Sequence, residues 1–308
     1  MLIFRGIPQQ ADTAVALTIG NFDGVHRGHQ AMLGSLQQAA RKLGLPACVL
    51  TFEPHPRELF TPDQAPARLT SLREKLELFA SFGVDRVYLL RFNRHLAQLS
   101  ADDFIDRLLR QGLGARWILV GDDFRFGAKR AGDFSLLQQA GAKHGFEVEA
   151  MHSVTVDGIR VSSTAVREAL ARGDLLQATR FLGRPYFISG RVVHGDKTGR
   201  KLGYPTANIQ MKHNKPPLAG IFAVELHGLG DAPLQGAASL GVRPTVKQNG
   251  KPTLEVHLFN FSGEIYGRHV RVDFLHKLRD EMKFANLEAL TAQIAADVAD
   301  AKKYFLNR

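Results

Sequence analysis

The segment Gly20-Asn21-Phe22-Asp23-Gly24-Val25-His26-Arg27-Gly28-His29 follows directly on the apolar stretch Val15–Ile19. A strand that runs into a glycine-rich turn and then a helix presents free backbone N–H groups, and the positive end of a helix dipole, to an anion. Gly20, Gly24 and Gly28 let the backbone approach a ligand closely. Phe22 and Asp23 sit inside the turn, and His26 and His29 add ring N–H donors. The spacing fits neither the dinucleotide fingerprint nor the P-loop, because the third glycine precedes His29 and no Lys-Ser/Thr follows. The chemistry indicated is phosphate binding assisted by two imidazoles.

A second constellation runs from Gly190 to Asn208. Gly195, Gly199 and Gly203, set among Lys197, Arg200 and Lys201, make a flexible cationic flap able to cover phosphates. In the extended segment after Pro205, Thr206 and Asn208 are two apart and point to the same side. Their oxygens suit Mg²⁺ held together with substrate phosphates. In Leu254–Phe259, Leu254, Val256 and Leu258 share one face while Glu255 and His257 share the other, so Glu255 offers a carboxylate to a hydroxyl nucleophile.

Smaller groups accompany these two. Asp123, Phe124 and Arg125 follow the apolar run Trp117–Val120, where they meet a ligand or where Asp122-Asp123 simply closes a loop. Ser162, Ser163 and Thr164 precede an apolar-periodic segment containing Arg167; they read as phosphate contacts or as an ordinary N-cap, and both uses exploit one helix end. Phe52-Glu53-Pro54-His55-Pro56 reads as a strand end entering a rigid loop, with a structural role favoured for His55.

These residues need a scaffold. At 308 residues, 44% hydrophobic and 23% charged, the chain can bury two ordinary cores and does not have a disordered composition. Up to Gly183, strand-like runs (Val15–Ile19, Ala47–Phe52, Arg86–Arg91, Trp117–Val120, Glu147–His152) alternate with helix-like stretches, the rhythm of a parallel α/β sheet. Ser71-Leu72-Arg73-Glu74 and Ser100-Ala101-Asp102-Asp103 resemble capping boxes, and Ser163–Leu182 reads as two helices joined at Arg172-Gly173-Asp174. From Arg184 onward, short period-two runs (Phe187–Val193, Ile221–Leu226, Gly236–Leu240, Leu254–Phe259, Val270–Leu275) suggest a small antiparallel barrel. A final helix is expected to bury Leu287, Leu290, Ile294, Ala295 and Val298. The domains are therefore placed at 1–183 and 184–308.

Charge and cysteine usage narrow the classes further. The formal charge of +10 divides unevenly: 22 Lys+Arg against 19 Asp+Glu up to Gly183, and 18 against 11 from Arg184 on. Such a field favours anionic partners. Long basic tracts and basic residues interleaved with aromatics are absent, so phosphorylated small molecules are expected and nucleic acid is not. Cys48, the lone cysteine, lies in an apolar run and reads as a small core residue. With no secretory signal and no long uncharged apolar run, the expectation is a soluble cytoplasmic protein without a membrane partner.

On these motifs the chain resembles the bacterial bifunctional riboflavin kinase/FAD synthetase family along essentially its whole length. The first turn resembles the His-x-Gly-His signature of nucleotidylyltransferases, joined by Gly121-Asp122-Asp123-Phe124-Arg125-Phe126-Gly127 and by Val161-Ser162-Ser163-Thr164-Ala165-Val166-Arg167. The flap ending in Pro205-Thr206-Ala207-Asn208 resembles the riboflavin-kinase signature, with the Glu255 strand at a family-like distance. The resemblance implies a Rossmann-like α/β nucleotidylyltransferase domain followed by a riboflavin-kinase-like β-barrel with a C-terminal helix. It further implies ATP as co-substrate, phosphorylation of riboflavin to FMN in the second half, and adenylylation of FMN to FAD in the first. By the same resemblance Mg²⁺ would be held by Thr206 and Asn208, Glu255 would be the base, and the Gly195–Gly203 flap would close over ATP. It also implies that His26 and His29 would donate to the triphosphate, that Arg167 with Ser162, Ser163 and Thr164 would steady its β,γ-phosphates, and that Asp123, Phe124 and Arg125 would meet FMN or adenine. Apo-flavoproteins would accept the product.

Two other classes are compatible with parts of the pattern. One is a nucleotidylyltransferase for another phosphorylated acceptor with a regulatory barrel, which the Pro205–Asn208 element and Glu255 argue against. The other is an RNA-binding barrel fused to a nucleotide-binding domain, motivated only by charge.

Overall fold

In the computed structural model, the apolar runs of the first half form one parallel sheet. Its strands are β1 (Leu2–Arg5), β2 (Val15–Ile19), β3 (Ala47–Glu53), β4 (Arg86–Arg91), β5 (Ala115–Gly121) and β6 (Glu147–Met151). They stand in the order β1-β4-β3-β2-β5-β6, every pair parallel. Central β2 is buried at all five positions, as a strand covered on both faces must be. Edge strand β1 was not expected from the sequence; it is mostly exposed and carries no periodic signal.

The strand order decides where a ligand can bind. From β2 the chain moves to β3 and β4 on one side, then crosses to β5 and β6 on the other. Open α/β sheets bind ligands at such a reversal, beyond the carboxyl ends of the strands. The loops that leave β2 and β5 there are 20–26 and 122–127. The helix Arg27–Leu43 buries Leu33, Leu36 and Ala40 and ends on left-handed Gly44, a glycine C-cap. A short hairpin, β7 (Thr155–Val156) and β8 (Ile159–Arg160), follows β6.

The structure describes residues 1–195, 199, 202–213, 215–242 and 252–308. They fall into two units, Met1–Pro66 with Lys75–Val161 and Ala67–Glu74 with Ser162–Arg308. In the second, β9 (Tyr186–Val193), β10 (Ala207–Gln210), β11 (Gly220–His227), β12 (Leu234–Val242), β13 (Pro252–Leu258) and β14 (His269–Arg279) close an antiparallel barrel in the order β10-β13-β12-β11-β14-β9. Val192, Ile209, Phe222, Leu254, Val256 and Phe274 are buried in it. The helices Ser163–Ala171 and Leu175–Leu182 also belong to this unit, joined through Gly173 at φ +75°.

The C-terminal helix Leu287–Leu306 packs on β11, β12 and β14. Its buried stripe differs from the expected one. Leu287 is 64% exposed and Ala295 is also exposed, whereas Asp297, Val298 and Ala301 are buried. Contact with the barrel begins a turn later than the hydrophobicity pattern alone implies, and Ala295 lies about 100° around the helix from Ile294.

Candidate active sites

At the carboxyl end of β2 the chain reverses through Phe22 at φ +50°, Gly24 at φ +83° and Val25 at φ +39°. Residues other than glycine occupy this region at an energetic cost of order 1–3 kcal/mol each, repaid where the surroundings enforce it. The surroundings here are dense. Phe22 is fully buried, edge-on to Phe79 at 5.3 Å, and its ring lies 5.0 Å from that of His29. Asp23 and His26 are only 5% and 6% exposed.

His26 is the N-cap of the Arg27–Leu43 helix: the His29 backbone N–H donates to His26 Nδ1 at 3.4 Å. An accepting Nδ1 puts the proton of the neutral ring on Nε2. The two imidazoles stack at 3.6 Å between centroids and 17° between planes. Two of the three turn glycines make room for the turn itself. A Cβ on Gly20 would lie 3.1 Å from the Phe22 ring, and one on Gly28 would lie 3.2 Å from the His26 ring and 3.8 Å from the Val161 carbonyl. Lys75 donates its Nζ proton to the Asn21 carbonyl at 2.7 Å, a contact the sequence did not signal because the partners are far apart along the chain.

Beyond β5, Arg125 donates to Asp133 at 2.9 Å, and Asp133 caps the helix Phe134–His144. The Leu136 backbone N–H, and then Arg125, hold the Asp133 carboxyl below its usual range. Arg125 is therefore engaged within the loop. Asp123 is largely exposed and pairs with Arg160 at 3.1 Å, while Phe124 stacks on Phe126 at 5.5 Å. Ser162 caps the helix Ser163–Ala171 through the Ala165 N–H at 3.1 Å, with Ser163 and Thr164 in its first turn. Arg167 donates from Nε to the Ala67 carbonyl at 2.6 Å. These four residues lie in the second unit, whereas His26 and His29 lie in the first. His55 caps a short helix in a reciprocal box with Glu58, in keeping with its structural reading.

The barrel brings the second constellation together. Asn208 on β10 is the register partner of Glu255 on β13, and Glu255 is the partner of Ser239 on β12. Directly paired residues share a face of the sheet. Leu254 and Val256 are buried, so Asn208, Glu255 and Ser239 stand on the opposite, outer face. The Thr206 hydroxyl donates to Glu255 Oε2 at 3.2 Å. Hydroxyl, amide and carboxylate oxygens on one patch are the hard donors that Mg²⁺ takes when it is shared with phosphates, so these residues fit that ion. No group of three or more His, Cys, Asp or Glu side chains placed to hold a metal ion occurs among the described residues.

Gly195 is required by this patch, since a Cβ there would collide with the Asn208 side-chain amide. Gly199 accepts from the Tyr204 and Leu202 N–H groups, and Gly203 sits at φ +86° ahead of Pro205. Lys197 and Lys201, with Arg200, lie outside the described residues.

Beside Glu255 opens a cleft of about 320 Å³ between the outer barrel face and the C-terminal helix, a volume within the range of small-molecule sites. Thr206, Glu255 and His257 form its polar side, and Met282, Phe284, Leu290 and Ile294 its apolar side. Arg279 and Asp297 form a two-point ion pair at 2.7 and 2.6 Å beside it. Sequence reasoning assigned Leu290 and Ile294 to the helix core and gave Arg279, Met282 and Phe284 no role. An apolar stripe that lines a cleft has the same periodicity as one that packs without a gap. Elsewhere, burial pushes the Cys48 thiol up to about 12, which keeps it protonated in the sheet core.

Comparison with known proteins gives the family. Residues 8–165 match the family model described as FAD synthetase, and residues 182–305 match that described as riboflavin kinase. The chain is 50% identical to the bifunctional riboflavin kinase/FMN adenylyltransferase of Escherichia coli (strain K12), covering 99% of this chain and 98% of that one. It is 54% identical to the protein of the same name from Pseudomonas fluorescens, covering 92% and 91%. A crystal structure from Streptococcus pneumoniae, titled as a macrolide-efflux protein, is 29% identical with a TM-score of 0.81 and covers 96% of this chain and 97% of that one. The last likeness speaks to fold; among the described residues no helix is long and apolar enough to cross a membrane. With two family models in the order the two glycine loops require, and near full-length identity to named relatives, the chain belongs to the bacterial bifunctional riboflavin kinase/FMN adenylyltransferase family.

Proposed function

We propose that residues 184–308 phosphorylate riboflavin to FMN and residues 1–183 adenylylate FMN to FAD, each with ATP. The observation that carries the first reaction is that Thr206 and Glu255, the register partner of Asn208, line a cleft with an apolar wall. Riboflavin enters with its ring system against Met282, Phe284, Leu290 and Ile294 and its ribityl chain toward Glu255. The Glu255 carboxylate accepts the proton of the terminal hydroxyl as that oxygen attacks the γ-phosphorus, and ADP departs. Thr206 and Asn208 would hold Mg²⁺, which when bound would neutralise the charge that develops on the phosphate oxygens. The flap containing Gly195, Lys197, Gly199, Lys201, Gly203 and Pro205 covers the ATP phosphates.

For adenylylation the FMN phosphate is itself the nucleophile, because its second ionisation lies near pH 6 and no strong base is needed. It attacks the α-phosphorus of ATP and pyrophosphate leaves. His26 Nε2–H and His29 donate to the phosphate oxygens over the turn that includes Gly20, Phe22, Asp23, Gly24 and Gly28, and the helix dipole acts in the same direction. Arg167, Ser162, Ser163 and Thr164, and contacts of Asp123, Phe124 and Arg125 with FMN or adenine, are assigned to this reaction on the family motif. FAD then passes to apo-flavoproteins, in a cytoplasmic setting.

Incubation of the pure protein with riboflavin, ATP and Mg²⁺, with the flavins separated by chromatography, tests both steps. FMN and then FAD are expected; riboflavin recovered unaltered would overturn the reading.

A further inference from the structure

We propose that His257 is a positioning residue for flavin phosphorylation: its imidazole clamps the Pro205 carbonyl and thereby sets the Thr206 hydroxyl against Glu255. The inference rests on the kinase reading above and adds a residue to it. His257 Nδ1 lies 2.9 Å from the Pro205 carbonyl oxygen. A carbonyl only accepts, so Nδ1 carries the proton in this contact.

The β10–β13 ladder explains why such a clamp is needed. Its pairs are Ile209 with Leu254, Asn208 with Glu255 and Ala207 with Val256, and there they stop. Continued in antiparallel register, the next pair would set Thr206 opposite His257. Pro205 has no N–H to extend the ladder, and β10 begins only at Ala207. The residue that bears the hydroxyl would otherwise hang on a chain end free of the sheet. His257 supplies the missing rung from its side chain, one residue before Thr206, while Thr206 supplies another by donating to Glu255 Oε2 at 3.2 Å.

The ring is held for this task. Tyr204 meets it edge-on at 5.5 Å and 76°, and Phe259 at 5.9 Å and 65°. Tyr204 is itself tied back by its N–H to the Gly199 carbonyl at 2.8 Å. Glu255 and His257 thus act as a pair two residues apart on one strand face, one toward the nucleophile and one toward the loop. A misplacement of about 1 Å at a reacting group can cost on the order of 100-fold in rate.

Two substitutions separate donor from ring. His257→Phe keeps an aromatic ring and removes the donor; His257→Asn loses the ring and keeps an N–H near the Nδ1 position. His257→Phe is expected to lower kcat for FMN formation by about 10-fold or more with riboflavin KM little changed, and His257→Asn to recover most of it. FAD formation from supplied FMN serves as the control in the same chain and is expected to be unchanged. Independently, ¹⁵N NMR of the unsubstituted protein is expected to find the His257 proton on Nδ1. Wild-type kcat in His257→Phe, equal impairment of both variants, or a proton on Nε2 would overturn the proposal. Should either variant fail to fold, the tautomer decides. Absence of FMN formation by the unsubstituted protein would instead sink the kinase reading and leave the tautomer result standing.

Discussion

At the scale of single residues, the two reactions make opposite demands, and the side chains divide accordingly. His29→Ala removes a ring donor and the stacking partner of His26; loss of one such donor typically costs about 10²–10³ in rate. FAD formation from FMN should fall by that order while riboflavin phosphorylation persists. Asn208→Ala should do the reverse, because it strips an oxygen from the patch beside Glu255. Separate assays with riboflavin and with FMN as substrate check both, and loss of both activities in either folded variant would contradict the assignment. Cys48 provides a third test. Burial raises its thiol to about 12 from an ordinary value near 8.5, so the native protein should resist thiol reagents at about pH 8–9 and react once unfolded. Spectrophotometric thiol titration with and without denaturant reads this directly.

Among the elements, the glycine turn and the C-terminal helix show how much a periodic pattern can and cannot convey. Gly28→Ala would place a Cβ 3.2 Å from the His26 ring, so the ring must shift. FAD synthesis should drop with little loss of FMN synthesis, as measured by product ratio under saturating ATP. The helix Leu287–Leu306 offers a stability comparison. Leu287 is 64% exposed and Val298 is 9% exposed. Leu287→Ala should change unfolding free energy by no more than about 0.5 kcal/mol. Val298→Ala removes two buried carbons, at about 0.8 kcal/mol each, and should cost roughly 1.5 kcal/mol. Urea unfolding of the two variants settles the order; an equal or reversed pair would mean the helix is seated as its hydrophobicity pattern alone implied.

For the whole molecule, two catalytic halves in one chain predict complementation. A mixture of His29→Ala protein with Asn208→Ala protein should convert riboflavin to FAD although neither does so alone, because each retains one working half and FMN can diffuse between them. Chromatography of the mixture checks this, and no FAD from it would argue against separable sites. Several cations of the second half are held in ion pairs, which leave its net excess unchanged: Arg271 with Asp273, Arg279 with Asp297, Lys277 with Asp280 and Arg308 with Glu225. Such pairs disperse charge over the barrel surface, a pattern that suits small phosphorylated ligands better than an extended polyanion.

Much of this architecture was legible along the chain, because strand and helix periodicities, glycine turns and caps are local properties. Five of the six strands of the parallel sheet, the helix pair after Ser162, five of the six barrel strands and the first glycine turn follow from residue order alone, and the resemblance of the motifs to a known family named the chemistry. Contacts between distant residues do not follow. That Gly20 and Gly28 serve the turn's own aromatic rings, that Arg125 is engaged by Asp133, that Lys75 reaches Asn21, that the C-terminal helix turns Leu290 and Ile294 toward a cleft, and that His257 holds Pro205 all depend on which residues the folded backbone brings side by side. Sequence determined most of the elements and nominated the candidate reacting groups. Tertiary packing alone decided their partners, because a side chain's neighbours across a sheet or barrel are set by register and closure, which leave no mark on the spacing of residues within a single segment.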